Sequence, residues 1–356
     1  MNKERYIRQT LLDVIGEEGQ AKLLSSHIVV IGCGGLGSIA APYLAGAGIG
    51  KLTLVDGDVP HISNLHRQVF FETQPNTISK AEALSHHIHK LNPETNLNVV
   101  SKMINKESID EILSSADVVL ECTDNIQVKY LINDYCAIHH IPMVYGAIHK
   151  YDGYVTFFEN EEGSSINLRD VFAEPNDDIP SCSEVGVLGT LAGVIGLMQA
   201  NEAIKYISGA GNCLKGTLLT YNILNNDQLK LKLKKTYSKD LKAVFAVSDY
   251  ISEIVCATYE ISLEDLMSNR SNYKLISILE DHEHHNIDED VERSPLSALN
   301  SKKWRSSSAK STVFYCMSGI RTGKLVNEIL SHDPSSKVLS LAGGLKYFEM
   351  KKNSKQ

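Results

Sequence analysis

The sequence predicts an α/β protein of two domains, the first built on a doubly wound, mainly parallel sheet. Three observations predict it: short apolar runs alternate with helical segments, a glycine-rich turn joins the first run to a helix, and a smaller alternation begins at Ile261. The length of 356 residues agrees, since single cores stop growing near roughly 250 to 300 residues. We predict a first domain over 1–236, a linker over 237–260 and a smaller α/β domain over 261–356.

The predicted elements follow one another in a regular order. The predicted helices are 5–24, 36–47, 79–91, 107–114 and 188–207. The predicted strands are 27–32, 51–56, 96–100, 118–122, 142–146, two strands within 216–235, and 274–278 and 312–316 in the second domain. Strand-helix-strand units of this kind place their strands in parallel, because the helix must cross over the sheet.

Composition and charge exclude several classes of function. A formal net charge of -8 argues against a protein that binds nucleic acid or anionic membranes through its charge alone. No apolar run reaches the roughly 18 to 20 residues that span a bilayer, and the first nine residues, MNKERYIRQ, are too polar for a secretory signal. Seven cysteines without a C-x-x-C pair are typical of a reducing compartment. We expect a cytoplasmic protein.

A glycine-rich turn lies between the first predicted strand and the helix that follows it. Its glycines are Gly32, Gly34, Gly35 and Gly37. Glycine lets the backbone approach a ligand closely, while the helix N-terminus faces a phosphate. Asp56 stands at the end of the next strand, where an acid holds a ribose hydroxyl in Rossmann-like dinucleotide enzymes. The turn and the acid predict a Rossmann-like nucleotide site and leave an NAD-dependent oxidoreductase open.

The residues after Asp56 distinguish between these nucleotide enzymes. They are, in chain order, Asp58, Ser63-Asn64, Arg67-Gln68, Lys80 and Thr123-Asp124-Asn125. With Arg5-Tyr6-Ile7-Arg8-Gln9 before the turn, they resemble the ThiF/MoeB/HesA family, the bacterial relatives of ubiquitin-activating enzymes. The resemblance covers about residues 5 to 235. It favours an adenylating enzyme over the oxidoreductase.

The resemblance implies a role for each of these residues. The glycine turn and Asp56 would hold the adenosine of ATP, and Gln68 would also contribute to binding the nucleotide. The phosphates would be held by Asn64, Arg67 and Lys80, and Asp124 would help to bind Mg²⁺. Arg8 would reach the triphosphate of a neighbouring subunit, which implies a homodimer. The substrate would be the C-terminal glycine carboxylate of a small ubiquitin-like sulfur-carrier protein that ends in Gly-Gly. Its attack on the α-phosphorus expels pyrophosphate, so cations must stabilise the charge that develops.

One part of the family pattern is missing. Many members hold zinc with two C-x-x-C pairs, but Asn167 and Asp170 stand where the first pair would fall, and residues 235–240 contain no cysteine. Amide and carboxylate groups replace thiolates poorly at a tetrahedral zinc site. We therefore expect no zinc.

Two cysteines are candidates for sulfur chemistry. Cys182 occupies a segment that, in the family, forms a crossover loop near the adenylate, and a family cysteine there takes part in acyl or persulfide transfer. The alternative is an inert loop cysteine. Cys316 begins a six-residue loop, 316–321, between a predicted strand and helix, and the region 261–349 resembles a rhodanese domain. Backbone N-H groups of such a loop surround a persulfide, which implies a sulfur donor as a partner.

The rhodanese resemblance is also incomplete. Ser277 and Leu279 stand where the family usually has an Asp and an Arg, so a structural ion pair is lost. An inactive domain that only docks a protein therefore stays open. So do adenylation of another carboxylate or of a tRNA base, and a non-catalytic scaffold. The sequence does not distinguish molybdopterin, thiamine and other thiolation pathways.

Overall fold

The fold is known from a computed structural model of the 356-residue chain. It describes residues 3–72, 78–161, 166–175, 186–248, 250, 259–280, 283, 287, 290–299, 301, 304, 310–317, 319–345 and 348. The chain divides into two units, Met1–Ser252 and Glu253–Gln356, which are described one at a time. Among the helices of the described residues, none combines the length and the apolar character that crossing a bilayer requires.

The first unit contains nine helices and eight strands within its described residues. The helices are α1 (Lys3–Thr10), α2 (Gly16–Ser25), α3 (Gly37–Ala47), α4 (Lys80–Leu91), α5 (Ile109–Leu113), α6 (Ile126–Ile138), α7 (Leu168–Val171), α8 (Gly189–Ser208) and α9 (Leu241–Val247). The strands are β1 (His27–Ile31), β2 (Lys51–Val55), β3 (Asn96–Val100), β4 (Val118–Glu121), β5 (Met143–His149), β6 (Asp152–Phe158), β7 (Thr217–Asn222) and β8 (Asp227–Lys232).

These strands form a single sheet in the order β3-β2-β1-β4-β5-β6-β7-β8. The first five strands along the chain pair in parallel, and β6, β7 and β8 add an antiparallel edge. The strand order reverses between β1 and β4, so loops at their carboxyl ends diverge and leave a crevice where such sheets bind ligands. The predicted doubly wound, mainly parallel sheet is confirmed.

The sheet separates two hydrophobic cores. Ile28 and Val30 belong to one core and Val29 and Ile31 to the other, because successive side chains of a strand point to opposite faces. Helices α3 and α8 pack against each other on the face of the first core. This explains why the buried strands are continuous apolar runs rather than alternating ones.

Three details of the first unit differ from the prediction. The predicted helix over 5–24 is two helices, α1 and α2, separated by a turn that ends at Gly16 with φ of +56°. Helix α6 was not predicted, since nine of its thirteen residues are buried and it lacks a polar face to give a helical period. Strand β6 was not predicted either, and it reverses the chain through Lys150, whose φ is +54°.

The segment predicted as a linker, 237–260, is partly folded onto the first unit. Helix α9 packs on α6, and the ring of Phe245 lies 5.6 Å from that of Tyr250. The hydroxyl of Tyr250 donates to Asp134 Oδ2 at 2.5 Å. The linker stays a prediction, but Leu241–Val247 and Tyr250 pack on the first unit, because aromatic residues in a weakly patterned sequence bury themselves against α6.

The second unit is a smaller α/β unit, as the sequence predicts. Its described elements are β9 (Glu260–Ile261), α10 (Leu263–Ser268), β10 (Tyr273–Ser277), β11 (Glu292–Arg293), β12 (Ser311–Tyr315), α11 (Ile320–His332) and β13 (Val338–Leu341). The strands pair in parallel in the order β11-β10-β12-β13-β9. Their apolar side chains form a core of their own, with α11 covering part of it.

Candidate functional site

The glycine turn begins where β1 ends, at the reversal of strand order. Gly32 has φ of +88°, and a Cβ there would lie 2.8 Å from the carbonyl oxygen of Cys122, just beyond β4. A Cβ on Gly37 would lie 1.9 Å from the carbonyl oxygen of Gly32. Both positions therefore require glycine, since the turn folds tightly on itself and against the β4 end. The turn leaves the N-terminus of α3 facing the crevice.

Arg67 and Gln68 lie against the other two glycines of the turn. A Cβ on Gly35 would lie 3.4 Å from Arg67 Cδ, and one on Gly34 would lie 3.5 Å from Gln68 Nε2. The guanidinium of Arg67 is held by its NH2 donating to Asn64 Oδ1 at 2.8 Å. The structure thus brings Asn64, Arg67 and Gln68 to the glycine turn, and their roles in binding the nucleotide stay predictions.

Asp56 ties the glycine turn to the end of β2. Its Oδ2 accepts the backbone N-H of Cys33 at 2.7 Å, and its Oδ1 accepts that of Asp58 at 2.8 Å. Burial raises the pKa of Asp56, although the ammonium of Lys80 acts in the opposite direction. Each carboxylate oxygen keeps a second lone pair, so Asp56 can hold the turn and still accept from a hydroxyl.

Lys80 is a buried cation at the start of α4. Its Nζ lies 2.9 Å from Asp58 Oδ2, and its side chain is only 8% exposed. Burial alone would lower its pKa, but the charges of Asp56 and Asp58 outweigh burial and raise it, and Asp124 adds to the effect. Lys80 is therefore a protonated lysine surrounded by carboxylates at the crevice.

Asp124 is an exposed carboxylate between β4 and α6. The cap of α6 is its neighbour Asn125, whose Oδ1 accepts the N-H groups of Gln127 at 3.0 Å and Val128 at 3.2 Å. Asp124 itself makes no hydrogen bond to any residue that the structure describes. Helix capping therefore explains Asn125 but not Asp124.

The residues present fit ATP and Mg²⁺. Two buried polar atoms at the turn, Ser38 Oγ and Gln68 Oε1, have no hydrogen-bond partner among the described residues, so a ligand could pair with them. Mg²⁺ is usually held by one or two carboxylates together with substrate phosphates, and exposed Asp124 supplies one. No group of three or more metal-binding side chains occurs within the described residues.

Two further residues of the site were missed by the sequence analysis. Glu121 ends β4 and is fully buried, and its Oε2 lies 2.5 Å from Nζ of Lys129 on α6. The two residues lie eight positions apart on different elements, and nothing in a single sequence pairs them. The spacing Glu-Cys-Thr-Asp-Asn was the available signal, since it places a carboxylate at a strand end next to Asp124.

Two predicted residues are not brought to this site by the described structure. Arg8 is exposed on α1 and has no hydrogen bond or ion pair with any residue the structure describes. Cys182 lies outside the described residues. Their predicted roles stay predictions.

The residues at the family's first zinc position make protein contacts instead. Asn167 and Asp170 form a capping box around α7. The Asn167 side chain accepts a backbone N-H of the first helical turn, and the Asp170 side chain accepts the backbone N-H of Asn167. Asp170 Oδ1 also accepts the N-H groups of Thr236 at 2.7 Å and Tyr237 at 2.8 Å, and Lys235 Nζ lies 3.2 Å from Oδ2. A carboxylate therefore joins the two chain segments between which the sequence analysis looked for zinc ligands.

In the second unit, Cys316 follows β12 and begins a tight loop. Its Sγ accepts the backbone N-H of Gly319 at 3.2 Å and lies 3.7 Å from Thr322 Oγ1. A Cβ on Gly344 would lie 2.3 Å from the Cys316 carbonyl oxygen, so the loop packs directly on the turn after β13. The thiol is buried, with one amide and one hydroxyl near the sulfur.

The loop ends where α11 begins at Ile320, two residues earlier than predicted, and Arg321 in the first turn of α11 forms a bidentate ion pair with Glu283, with N-O distances of 2.9 and 2.7 Å. The two positions where the rhodanese resemblance implied an ion pair are buried in the second unit. Leu279 and Ser277 are each about 1% exposed, and Leu279 belongs to the hydrophobic core of the unit. Packing around Leu279 thus occupies the place where a buried charge would otherwise need a partner.

Comparison with known proteins agrees with this geometry. Residues 6–242 match the ThiF family. The SAMP-activating enzyme E1 of Haloferax volcanii is 39% identical over 222 residues, which are 62% of this chain and 82% of that protein. The adenylyltransferase and sulfurtransferase MOCS3 of Drosophila sechellia is 40% identical over 218 residues, which are 61% of this chain and 48% of that protein.

Among solved structures, Escherichia coli MccB in complex with MccA-N7isoASN superimposes with a TM-score of 0.58 at 21% identity. The match covers 66% of this chain and 74% of that one. At this identity the likeness concerns the fold alone. It agrees with the doubly wound sheet of the first unit.

Proposed function

Because the chain belongs to the ThiF family, we propose that its first unit adenylates the C-terminal glycine carboxylate of a small ubiquitin-like sulfur-carrier protein. The observations that carry this proposal are that Arg67 lies against the glycine turn and that Lys80 lies within the charge of Asp56 and Asp124. Adenylyl transfer concentrates negative charge on phosphate oxygens, and two cations with one metal-binding carboxylate are suited to stabilise it.

The residues of the site divide the work of this reaction. The glycine turn and the N-terminus of α3 offer backbone N-H groups to phosphate, and the Asp56 carboxylate accepts a hydrogen bond from a ribose hydroxyl. Arg67 and Lys80 hold the phosphates in line with the attacking carboxylate, so that alignment and charge lower the barrier. Mg²⁺, when bound at Asp124, would neutralise charge on the leaving pyrophosphate. No covalent enzyme intermediate is needed for this step.

The second unit is proposed to carry sulfur on Cys316. The Cys316 thiolate takes the outer sulfur of a persulfide donor, which leaves as a thiolate, and a persulfide forms on Cys316. The terminal sulfur then attacks the acyl-adenylate, and AMP leaves. An external thiol then cleaves the acyl disulfide, which releases the thiocarboxylate and leaves a mixed disulfide on Cys316, and a second equivalent of that thiol reduces this disulfide. Cys182 is proposed to take part in acyl or persulfide transfer. A named relative, MOCS3, supports the pairing of these activities.

The assembly is proposed to be a homodimer. Arg8 is an exposed cation on α1, and the part of the chain that the structure describes offers it no acidic partner. A triphosphate of a second subunit would supply one. Arg8→Ala should then lower adenylation while the free energy of unfolding of each chain stays unchanged, as is usual for exposed residues.

ATP–pyrophosphate exchange tests the proposed function directly. A candidate carrier that ends in Gly-Gly should stimulate exchange, and the same carrier without its last two residues should not. An oxidoreductase or a scaffold would show no exchange with either. Exchange stimulated by a short peptide or a tRNA, but not by the carrier, would favour the alternative substrates.

A further inference from the structure

Glu121 and Lys129 form a buried ion pair directly beneath the connection that carries Asp124. Glu121 is fully buried, and the Lys129 side chain is 8% exposed. Nζ of Lys129 also donates to the carbonyl oxygen of Gly146 at 3.1 Å and lies 5.0 Å from the ring centroid of Tyr145. The pair therefore joins the end of β4, the first turn of α6 and strand β5.

The other carboxylate oxygen of Glu121 holds the residue next to Asp124. Oε1 accepts the backbone N-H of Thr123 at 2.8 Å and its hydroxyl at 2.6 Å. Because one carboxylate bonds both to Thr123 and to Lys129, the direction in which the chain leaves β4 is fixed by the ion pair. Asp124 follows at once.

Helix α8 holds the same connection from the other side. Gln199 Nε2 donates to the Glu121 carbonyl oxygen at 2.7 Å, and its Oε1 accepts from Cys122 Sγ at 3.4 Å. The carbonyl oxygen of Cys122 lies against Gly32 of the glycine turn. The 121–124 connection is thus tied to the turn that faces the nucleotide.

Stability alone does not explain a charged pair at this place. Desolvating two charges offsets most of their attraction, and apolar residues of similar volume often fill such sites with equal or better stability. Burial by itself would lower the pKa of Lys129, but Glu121 outweighs it and raises the pKa, so the lysine is protonated. What the ion pair adds is a fixed geometry for the groups bonded to it.

We infer that Glu121 and Lys129 are positioning residues that hold Thr123 so that Asp124 meets the metal of the nucleotide complex. This inference rests on the proposed adenylation and deepens it, since it assigns Asp124 a support within the chain. Outer partners of metal-binding carboxylates orient them, and their loss commonly lowers metal affinity by about 10- to 100-fold.

The chain offers a matched control in a second pair of the same construction. Glu202 is buried, pairs with Lys205, and accepts the backbone N-H of Leu214 at 2.7 Å. Both lysines leave a buried carboxylate unpaired when they are replaced by methionine. Ala192 of α8 contacts the glycine turn through Gly35, and Lys205 lies thirteen residues further along, about 20 Å at 1.5 Å per residue.

The experiment compares Lys129→Met with Lys205→Met in the full chain, using α,β-methylene-ATP and Mg²⁺ as the probes. Thermal unfolding gives the stability lost by each, and calorimetry gives the nucleotide affinity with and without Mg²⁺. In Lys129→Met the Mg²⁺ concentration for half-maximal nucleotide affinity should rise about tenfold. Affinity without Mg²⁺ should stay unchanged. Lys205→Met should lose stability and keep the normal Mg²⁺ dependence.

Equal Mg²⁺ dependence in the two variants would overturn the inference, because both would then act only through stability. If Lys129→Met does not fold, Thr123→Ala replaces it, since it removes the hydroxyl that Glu121 holds and leaves the ion pair intact. It should raise the Mg²⁺ requirement in the same direction, and a normal requirement would overturn the inference. Failure of the proposed function is distinguishable, because the unaltered chain would then show no carrier-stimulated exchange, whereas failure of the inference alone would leave that exchange in place.

Discussion

The two units hold their reactive groups by different means. At the nucleotide site, buried carboxylates accept hydrogen bonds from backbone N-H groups and so hold the turns and connections of the crevice. Asp56 holds the N-H groups of Cys33 and Asp58, and Glu121 holds that of Thr123. Lys80 therefore lies among fixed negative charges before any ligand binds, whereas Arg67 is held by the neutral amide of Asn64.

At the thiol loop, glycines and hydroxyls do the corresponding work. Gly319 has φ of +87° and donates its N-H to the sulfur of Cys316, and Gly344 packs against the loop from the turn after β13. Thr322 and Ser340 share a hydrogen bond of 2.8 Å behind the sulfur. The ion pair between Arg321 and Glu283 lies just beyond the loop, in the first turn of α11.

The difference follows from the proposed chemistry of each site. Adenylyl transfer develops charge on phosphate oxygens, so it needs cations held in place. A persulfide carries a single diffuse negative charge, and backbone N-H groups stabilise it well. The hydrogen bonds described at the Cys316 sulfur involve neither Ser277 nor Leu279. Each unit can be tested separately on this basis.

The largest expected effect is the loss of sulfur transfer in Cys316→Ser. A serine oxygen cannot carry sulfane sulfur, so transfer from a persulfide donor to the carrier should disappear while carrier-stimulated pyrophosphate exchange continues. Cys213→Ser, at a half-buried thiol of the first unit, serves as the control and should retain both activities. Normal sulfur transfer by Cys316→Ser would instead favour a second unit used only for docking.

The next effect in size concerns the first unit. Lys80→Ala should lower pyrophosphate exchange by about 100-fold or more, since a preorganised donor to transition-state charge is lost. Lys90→Ala removes an exposed lysine from the other end of the same helix, α4, and should leave exchange unchanged. Sulfur uptake by Cys316 should be normal in both. Equal exchange in the two variants would remove Lys80 from the reaction.

Sequence patterns predicted the parts of the fold and site that local chemistry determines. The glycines of the turn, Asp56 and Lys80 have distinctive types and spacing, and the strands β1 and β2 are short, mostly apolar runs. The Glu121–Lys129 pair escaped prediction because its geometry depends on how α6 folds back beside β5. Helix α9 escaped it because seven residues, Leu241–Val247, are too few to show a helical period.

A smaller effect is expected at Asp170, whose carboxylate joins two chain segments of the first unit outside the crevice. Burial alone would raise its pKa, but N-H groups of Tyr237, Asn167 and Thr236, with Lys235, lower it. A carboxyl group whose pKa is lower in the folded than in the unfolded protein stabilises the fold at pH values above its unfolded pKa, about 3.9. This stabilisation is lost as the pH falls through the folded pKa. Asp170→Asn should therefore lower the free energy of unfolding at pH 7 by about 1–3 kcal/mol.

Denaturant titrations at pH 7 and below about pH 4 test whether the stabilisation by Asp170 is lost in acid, since the pKa of an unfolded aspartate is about 3.9. The gap between the normal chain and Asp170→Asn should narrow in acid, because protonation removes the same charge from the normal chain. Glu174→Gln provides the control, as Glu174 pairs with Lys239 at a half-exposed site and should cost about 1 kcal/mol or less. A gap independent of pH would show that the charge of Asp170 does not hold the segment.

The smallest expected effect is that of a chelator on the melting temperature. It tests whether the Asp170 carboxylate, rather than a metal, joins the two segments. Structural zinc contributes directly to folding free energy, so a chain that held it between segments 166–170 and 235–240 would lose stability in EDTA. Here Asp170 already accepts N-H groups from Thr236 and Tyr237, and its side chain is fully buried against them. The melting temperature in EDTA should equal that in buffer, and elemental analysis should find no stoichiometric zinc. About one zinc per chain, with a lowered melting temperature in EDTA, would mean that other residues bind a metal. Asp170 would then not be the main group that joins the two segments.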